Sequence, residues 1–120
     1  MKGNPLPAPP LIALTTVGRR SGEPRQVPLF AFDDGDRLVI VGSRGGTAKD
    51  PAWARNLRAD PRATVTRNDE EWTVRAYEVG GEERDRLWLV VVAGFPLYES
   101  YRRRTSRLIP IFVLEPAGDG

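Results

Sequence analysis

The sequence predicts a small α+β barrel: six strands in a mostly antiparallel sheet, with short helices inserted after the third and after the fifth strand. Three observations point there. Short aliphatic and β-branched runs recur along the chain, several alternating at period two. Asp34-Gly35 joins two of these runs as a hairpin. The helical segments are too few and too short to alternate with strands as a doubly wound sheet requires.

Taken in order, residues 1–10 are proline-rich and read as irregular or extended chain. Residues 11–17, LIALTTV, form the first strand. Gly18 and Gly22 punctuate the turn that follows. Residues 25–33 read as a second strand, with Val27, Leu29 and Ala31 on one face. Pro28 cannot donate to a ladder, so part of this strand lies at an edge or a bulge. The hairpin then pairs it antiparallel with a third strand, residues 37–43, whose RLVIVGS run suits burial on both faces. Gly45-Gly46 makes a loop. Asp50 reads as an N-cap and Pro51 as the first position of a helix to residue 59, stopped by Asp60-Pro61.

Residues 63–67 are a fourth strand, and Asn68-Asp69 turns into a fifth, residues 71–79, with Trp72, Val74 and Ala76 on one face. Gly80-Gly81 breaks it. A helix over residues 82–93 opens with acidic side chains, as the helix dipole favours. Gly94-Phe95-Pro96 interrupts it before a second helical segment, residues 97–104. Residues 109–114 are the last strand. The division is one domain over residues 11–116, between the proline-rich start and a tail at 117–120.

At 120 residues, one domain with one core is the expectation. No apolar run approaches the roughly 18 residues of a membrane span, and prolines interrupt the start where a secretory signal needs an apolar stretch. With no Cys there is no disulfide framework and no thiolate chemistry, and a cytoplasmic setting is the expectation. With no His, the usual general base, the common zinc ligand and every Ser-His or Cys-His pair are excluded. No metal site is predicted. Any redox or transfer chemistry then falls to a bound cofactor. The net charge is only +2, but Arg19, Arg20, Arg25, Arg44, Lys49 and Arg55 crowd the first half. Such a patch suits an anionic ligand or, equally, a solvated basic face.

Four constellations can carry chemistry. Gly18 to Arg25, GRRSGEPR, offers a tight turn and guanidiniums able to grip carboxylates or phosphates; a basic surface turn is the plainer alternative. Gly42 to Lys49, GSRGGTAK, lies between a strand and a helix start and suits phosphate, or is a loop that needs glycine. Trp53, Asn56 and Leu57 share a helical face: Trp53 as core or ligand contact, Asn56 as partner to a loop backbone or a cofactor ring. Tyr98 and Tyr101 project from one side of a short helix, able to stack, bond a carbonyl or pack.

The ordered set LTTVGRRSGEPRQVPLF, DDGDRLVIVGSRGGTAKDPAWARNLRADP, EERDRLW and FPLYESYRRRTSRLIPIFVLEP closely resembles the deazaflavin-dependent nitroreductase family, across residues 11–116. That family has a split β-barrel fold, flavin-reductase-like, and binds coenzyme F-420. The resemblance implies that Arg19, Arg20 and Arg25, with Lys49, hold the phosphate and oligoglutamate tail. It implies that Val27, Pro28, Leu29 and Phe30 line the deazaflavin, and that Val41, Ser43, Arg44, Gly45 and Gly46 meet the phosphate and ribityl chain. Pro51, Trp53 and Asn56 would close the ring pocket, and Tyr98 and Tyr101 border the substrate. Ala54, Arg55 and Phe95-Pro96-Leu97 depart from the common family pattern, so the acceptor does not carry over.

The function so implied is F-420-dependent hydride transfer between the deazaflavin and an electron-poor acceptor, a quinone, enone or nitro compound. The proton comes from Tyr98, Tyr101, Ser43 or water. The alternatives are an FMN-binding reductase of the same fold and a non-catalytic F-420 carrier. Neither nucleic acid nor membrane is an expected partner, because the aromatics are not interleaved with a basic strand face and no amphipathic helix precedes the barrel. A homodimer is compatible with the fold.

Overall fold

A computed structural model of the chain describes residues 9–117. Seven strands form one sheet: β1 Leu11–Val17, β2 Pro24–Phe30, β3 Phe32–Asp34, β4 Arg37–Val41, β5 Arg62–Arg67, β6 Glu70–Glu78 and β7 Ile111–Pro116. Every pairing is antiparallel, in the order β2-β1-β5-β6-β7-β4-β3. Three α-helices accompany it: α1 Ala52–Ala59, α2 Gly81–Gly94 and α3 Leu97–Arg103, with a single 3₁₀ turn at Arg44–Gly46.

The count is seven rather than six because the expected second strand is two. Residues 24–30 pair with β1, while residues 32–34 pair with β4. Between them the fully buried Ala31 donates its N–H to the Pro10 carbonyl at 2.9 Å. β2 and β3 are opposite edges of the sheet, yet Ala31 alone separates them in the chain. The two edges therefore cannot drift apart, and the sheet curls into a barrel left open along one seam. Pro28 sits in edge strand β2, where its missing N–H costs no ladder bond.

The period-two alternation of the central strands feeds two cores. Leu38, Ile40, Phe112 and Leu114 point into the barrel with Ile12, Leu14, Val65 and Val74. Val39, Val41, Ile111 and Val113 point outward, onto Leu87, Val91 and Tyr98 of α2 and α3. Strand β4 is accordingly buried on both faces, as its run of aliphatics predicts. Helix α1 plugs the barrel with Trp53, Ala54 and Leu57, and the Trp53 ring meets Phe112 edge-on at 5.7 Å.

Pro51, not Asp50, is the N-cap of α1. Its φ/ψ of −65°/155° is extended, and its carbonyl accepts from Ala54 and Arg55 at 3.1 and 3.4 Å. The Asp50 carboxylate instead accepts from Arg58 at 2.7 Å and Arg107 at 2.6 Å, two guanidiniums that outcompete backbone amides for it. At its other end α1 stops at Asp60, extended ahead of Pro61. The expected features of residues 1–8 and 118–120 lie outside the described residues.

Candidate active site

The seam of the barrel holds a cavity of about 1050 Å³. Its walls come from β1 and β2 and the turn between them, from the end of β4, from the first turns of α1, and from α3. Strand β2 sets its long dimension: from Arg25 to Phe30 is roughly 17 Å of extended chain.

One end is basic. The β1–β2 turn closes on itself, Gly18 donating to the Glu23 carbonyl at 2.8 Å and Gly22 to the Gly18 carbonyl at 2.7 Å. Gly22 has a φ of 74°, which only glycine adopts without strain. Arg19 is tied across to α1: its backbone N–H and its Nη1 both donate to Asn56 Oδ1, at 3.2 and 2.9 Å. Asn56 Nδ2 in turn donates to Thr16 Oγ1 at 3.0 Å. Asn56 and Thr16 are buried, so this chain of bonds satisfies polar groups that burial would otherwise penalise. Asn56 thus orients Arg19. Arg20 and Arg25 line the cavity alongside, Arg25 reaching Ser21 Oγ at 3.4 Å. Arg55, a cation noted in the sequence but given no role there, joins this wall.

Charge pairing sets these arginines apart from an ion-paired group, although Arg75, Arg84, Arg103 and Arg104 also meet no carboxylate among the described residues. Among the described residues, Arg37, Arg58, Arg86, Arg102 and Arg107 each meet a carboxylate. Arg19, Arg20, Arg25, Arg44 and Arg55 line the cavity, and no carboxylate of the described residues pairs with them. Five uncompensated guanidiniums around one opening make an anion-attracting rim.

The other end is aromatic. Phe30 at the end of β2 stacks at a tilt on Phe95, 5.2 Å between centroids. Phe95 meets Tyr98 edge-on at 4.9 Å, and Tyr98 meets Tyr101 at 6.2 Å. Burial pushes the Tyr98 hydroxyl up to about 12, with the neighbouring Tyr101 adding to the shift. The hydroxyl is protonated at neutral pH, and Tyr98 is one of the residues that line the cavity.

Between the ends, Val27 and Leu29 are half-buried against the barrel core, while Pro28 is exposed; all three line the cavity. Val41, Ser43, Arg44, Pro51 and Trp53 line it too. Trp53 is therefore both core and wall. Gly45, Gly46 and Lys49, grouped with the site from the sequence, are not among the lining residues. Gly46 has a φ of 81° and lies so close to α3 that a Cβ there would stand 2.5 Å from the Tyr101 carbonyl oxygen. It seats the loop against α3. Gly45 and Lys49 are exposed.

Leu11, Thr16, Gln26 and Ala52 also line the cavity and were not singled out from the sequence. Only Thr16 offered a hint, a polar residue at the inward period of β1 after Ile12 and Leu14.

A family profile described as F420H(2)-dependent quinone reductase matches residues 1–116. The chain belongs to the F420H(2)-dependent quinone reductase family. An F420H(2)-dependent quinone reductase of Mycobacterium tuberculosis is 37% identical over 110 residues, which cover 89% of this chain and 74% of that protein. A solved structure of an F420-H2 dependent reductase is 36% identical and superposes with a TM-score of 0.82, covering 94% of this chain and 100% of the other. A second, described as a domain-swapped dimer, is 37% identical with a TM-score of 0.82, over 90% and 81% of the two chains. The F420H(2)-dependent quinone reductases are oxidoreductases, so the expected enzyme class and deazaflavin coenzyme agree with the family. The split barrel agrees with its solved relatives.

Proposed function

We propose that this protein reduces a quinone with reduced coenzyme F-420, and that the cavity with one basic and one aromatic end is where it does so. The two-ended cavity carries the reading. A coenzyme with a polyanionic tail and a flat tricyclic ring needs both ends at once, and the chain supplies five unpaired arginines and four clustered aromatic rings around one opening. The residues fit the group: cation at the turn for phosphate and carboxylates, apolar β2 side chains for the ring face.

When bound, reduced F-420 supplies a hydride, and the quinone takes up one hydride and one proton to become a quinol. The chain's own residues do the remainder. Arg19, held by Asn56, and Arg20 and Arg25 fix the tail through charge-assisted hydrogen bonds. Val27, Leu29, Trp53 and Val41 exclude water from the ring's surroundings. Tyr98 and Tyr101 border the acceptor, and Tyr98 donates a hydrogen bond from its protonated hydroxyl to an acceptor oxygen as charge builds on it. Ser43 lies on the same wall and is a second donor. A domain-swapped relative supports a homodimer for this chain as well, which sedimentation velocity reads directly.

The test is turnover. Reduced F-420 and a soluble quinone such as menadione, mixed with the protein, should return oxidised F-420, seen by its fluorescence, at a rate set by protein concentration. Binding of F-420 without turnover across quinones, enones and nitro compounds would mean a carrier. Turnover with reduced FMN and none with F-420 would assign the cavity to a flavin.

A further inference from the structure

We infer that Arg107 is a positioning residue for the coenzyme-facing loop at residues 43–50, holding it from the outside without touching the cavity itself. The inference rests on the reading of the cavity given above. Arg107 lies just before β7 and is largely buried, its side chain 14% exposed. Its guanidinium spends three donors on that one loop. Nη2 donates to the Ser43 carbonyl at 2.7 Å, Nε to the Thr47 carbonyl at 2.7 Å, and Nη1 to Asp50 Oδ1 at 2.6 Å. These partners are 57 to 64 residues away in the chain.

The loop needs such a hold. Arg44, Gly45 and Gly46 have φ of 43°, 64° and 81° in succession, a run of left-handed backbone that includes one non-glycine residue. Within the loop, backbone bonding is sparse: Gly46 donates to Ser43 and Thr47 to Arg44, the latter at 3.3 Å. Local sequence preference therefore does not fix this shape. Arg107 fixes it by pinning both ends and the middle: Ser43, Thr47 and Asp50. The Asp50 carboxylate is shared with Arg58, which also pairs with Glu78 on β6 at 2.9 Å. The loop is thereby fastened to the approach to β7, to α1 and to the sheet at once. On the cavity side of the same loop stand Ser43 and Arg44.

Only a planar fork reaches three acceptors in one plane, so lysine is a poor substitute here. Removing the fork lets Ser43 and Arg44 wander, and small displacements of binding groups cost on the order of tenfold to a hundredfold.

The experiment compares wild type, Arg107→Lys, Arg107→Met and the control Arg102→Gln, whose arginine meets Glu99 on α3 and the Trp88 ring on α2, away from the cavity lining. The steady-state constants for reduced F-420 and for menadione are measured separately, below each variant's melting temperature. Arg107→Met should raise KM for reduced F-420 about tenfold to a hundredfold, with KM for menadione unchanged and kcat at saturation changed far less. Arg107→Lys should recover part of that loss, and Arg102→Gln should match wild type. Added guanidinium ion should partly rescue Arg107→Met in KM for reduced F-420 alone. An Arg107→Met protein that is folded and has wild-type KM for reduced F-420 overturns the inference. So does one in which both KM values rise and kcat falls together, as simple loosening of the fold requires. If wild type itself neither binds nor oxidises reduced F-420, the reading of the cavity fails instead. Should Arg107→Met not fold, Asp50→Asn tests the same hold through the other partner, with the same selective rise expected and the same null result overturning it.

Discussion

Tyr98 and Asn56 show what single residues contribute. Tyr98 is buried among Phe32, Phe95 and Tyr101, and that burial raises its hydroxyl further above the range where it would ionise. Tyr98→Phe keeps the packing and deletes only the donor, so it should lower kcat about tenfold with little change in stability; one lost neutral hydrogen bond is worth about 0.5–1.5 kcal/mol. Steady-state turnover with menadione reads this. An unchanged kcat assigns the donor elsewhere, with Ser43 and Tyr101 next to be substituted. Asn56→Leu strands the Thr16 hydroxyl and frees Arg19. It should cost about 1–3 kcal/mol in urea denaturation, the penalty of buried polar groups left unpaired, and should weaken F-420 binding as well. The sequence showed Asn56 as a polar residue on an otherwise apolar helical face, and so as a residue with a partner. It did not show that the partner is Arg19, because that contact spans 37 positions. Arg107 was invisible for the same reason: nothing periodic marks a side chain whose acceptors lie on a distant loop.

At the level of elements, the short hairpin β3–β4 is stitched to α2 by charge. Asp34 accepts from Arg37 of β4 and from Arg86 of α2, the latter at 3.1 Å, and Arg37 also donates to Tyr77 of β6 at 2.6 Å. The hydrogen bond from Arg86, then that from Arg37, lowers the Asp34 carboxyl from 3.8 to about 2. A folded-state value below the unfolded one stabilises the fold above the higher value and is lost as pH falls toward the lower. The fold should therefore lose about 1 kcal/mol as pH drops from about 4 to about 2, the figure being reduced because Arg86 is half exposed. Denaturation midpoints for wild type and Asp34→Asn across that range check it: the wild type should converge on the variant in acid. The same elements show where reading the sequence stopped. The aliphatic run of β4 announced burial on both faces, and the Asp34-Gly35 hairpin announced its partner. The break at Ala31 was hidden: Pro28 announced an edge or a bulge within residues 25–33, but no turn residue marks the point where the run divides. What divides them is the Pro10 carbonyl, a tertiary contact, and the need of one run to serve two edges of a curled sheet.

For the whole molecule, a net charge of +2 conceals a rim of unpaired arginines at one opening, with the ion-paired ones elsewhere. Attraction to a polyanion through such a rim is long-ranged and screened within about 8–10 Å at ordinary salt. F-420 affinity should thus fall steeply as salt is raised, while menadione KM should hardly move; titrations at three salt concentrations separate the two. The antiparallel α+β fold class and the glycine-flanked arginine cluster were legible in the sequence as local signals, but a solvated basic turn was an equal reading of that cluster until Arg19, Arg20 and Arg25 were seen on the cavity wall. The aromatic end was legible only in pieces, because Phe30 and Phe95 meet across a long stretch of chain.

The clasp at the β1–β2 turn is tested most directly by comparing two ligands on two proteins. Intact F-420 and its deazaflavin core stripped of phosphate and glutamates are titrated by fluorescence against wild type and Arg19→Ala. Wild type should bind the intact coenzyme more tightly than the core, and Arg19→Ala should lose about tenfold to a hundredfold for the intact coenzyme while its affinity for the core stays the same. Equal affinity of wild type for both ligands, unaltered by the substitution, would contradict the account.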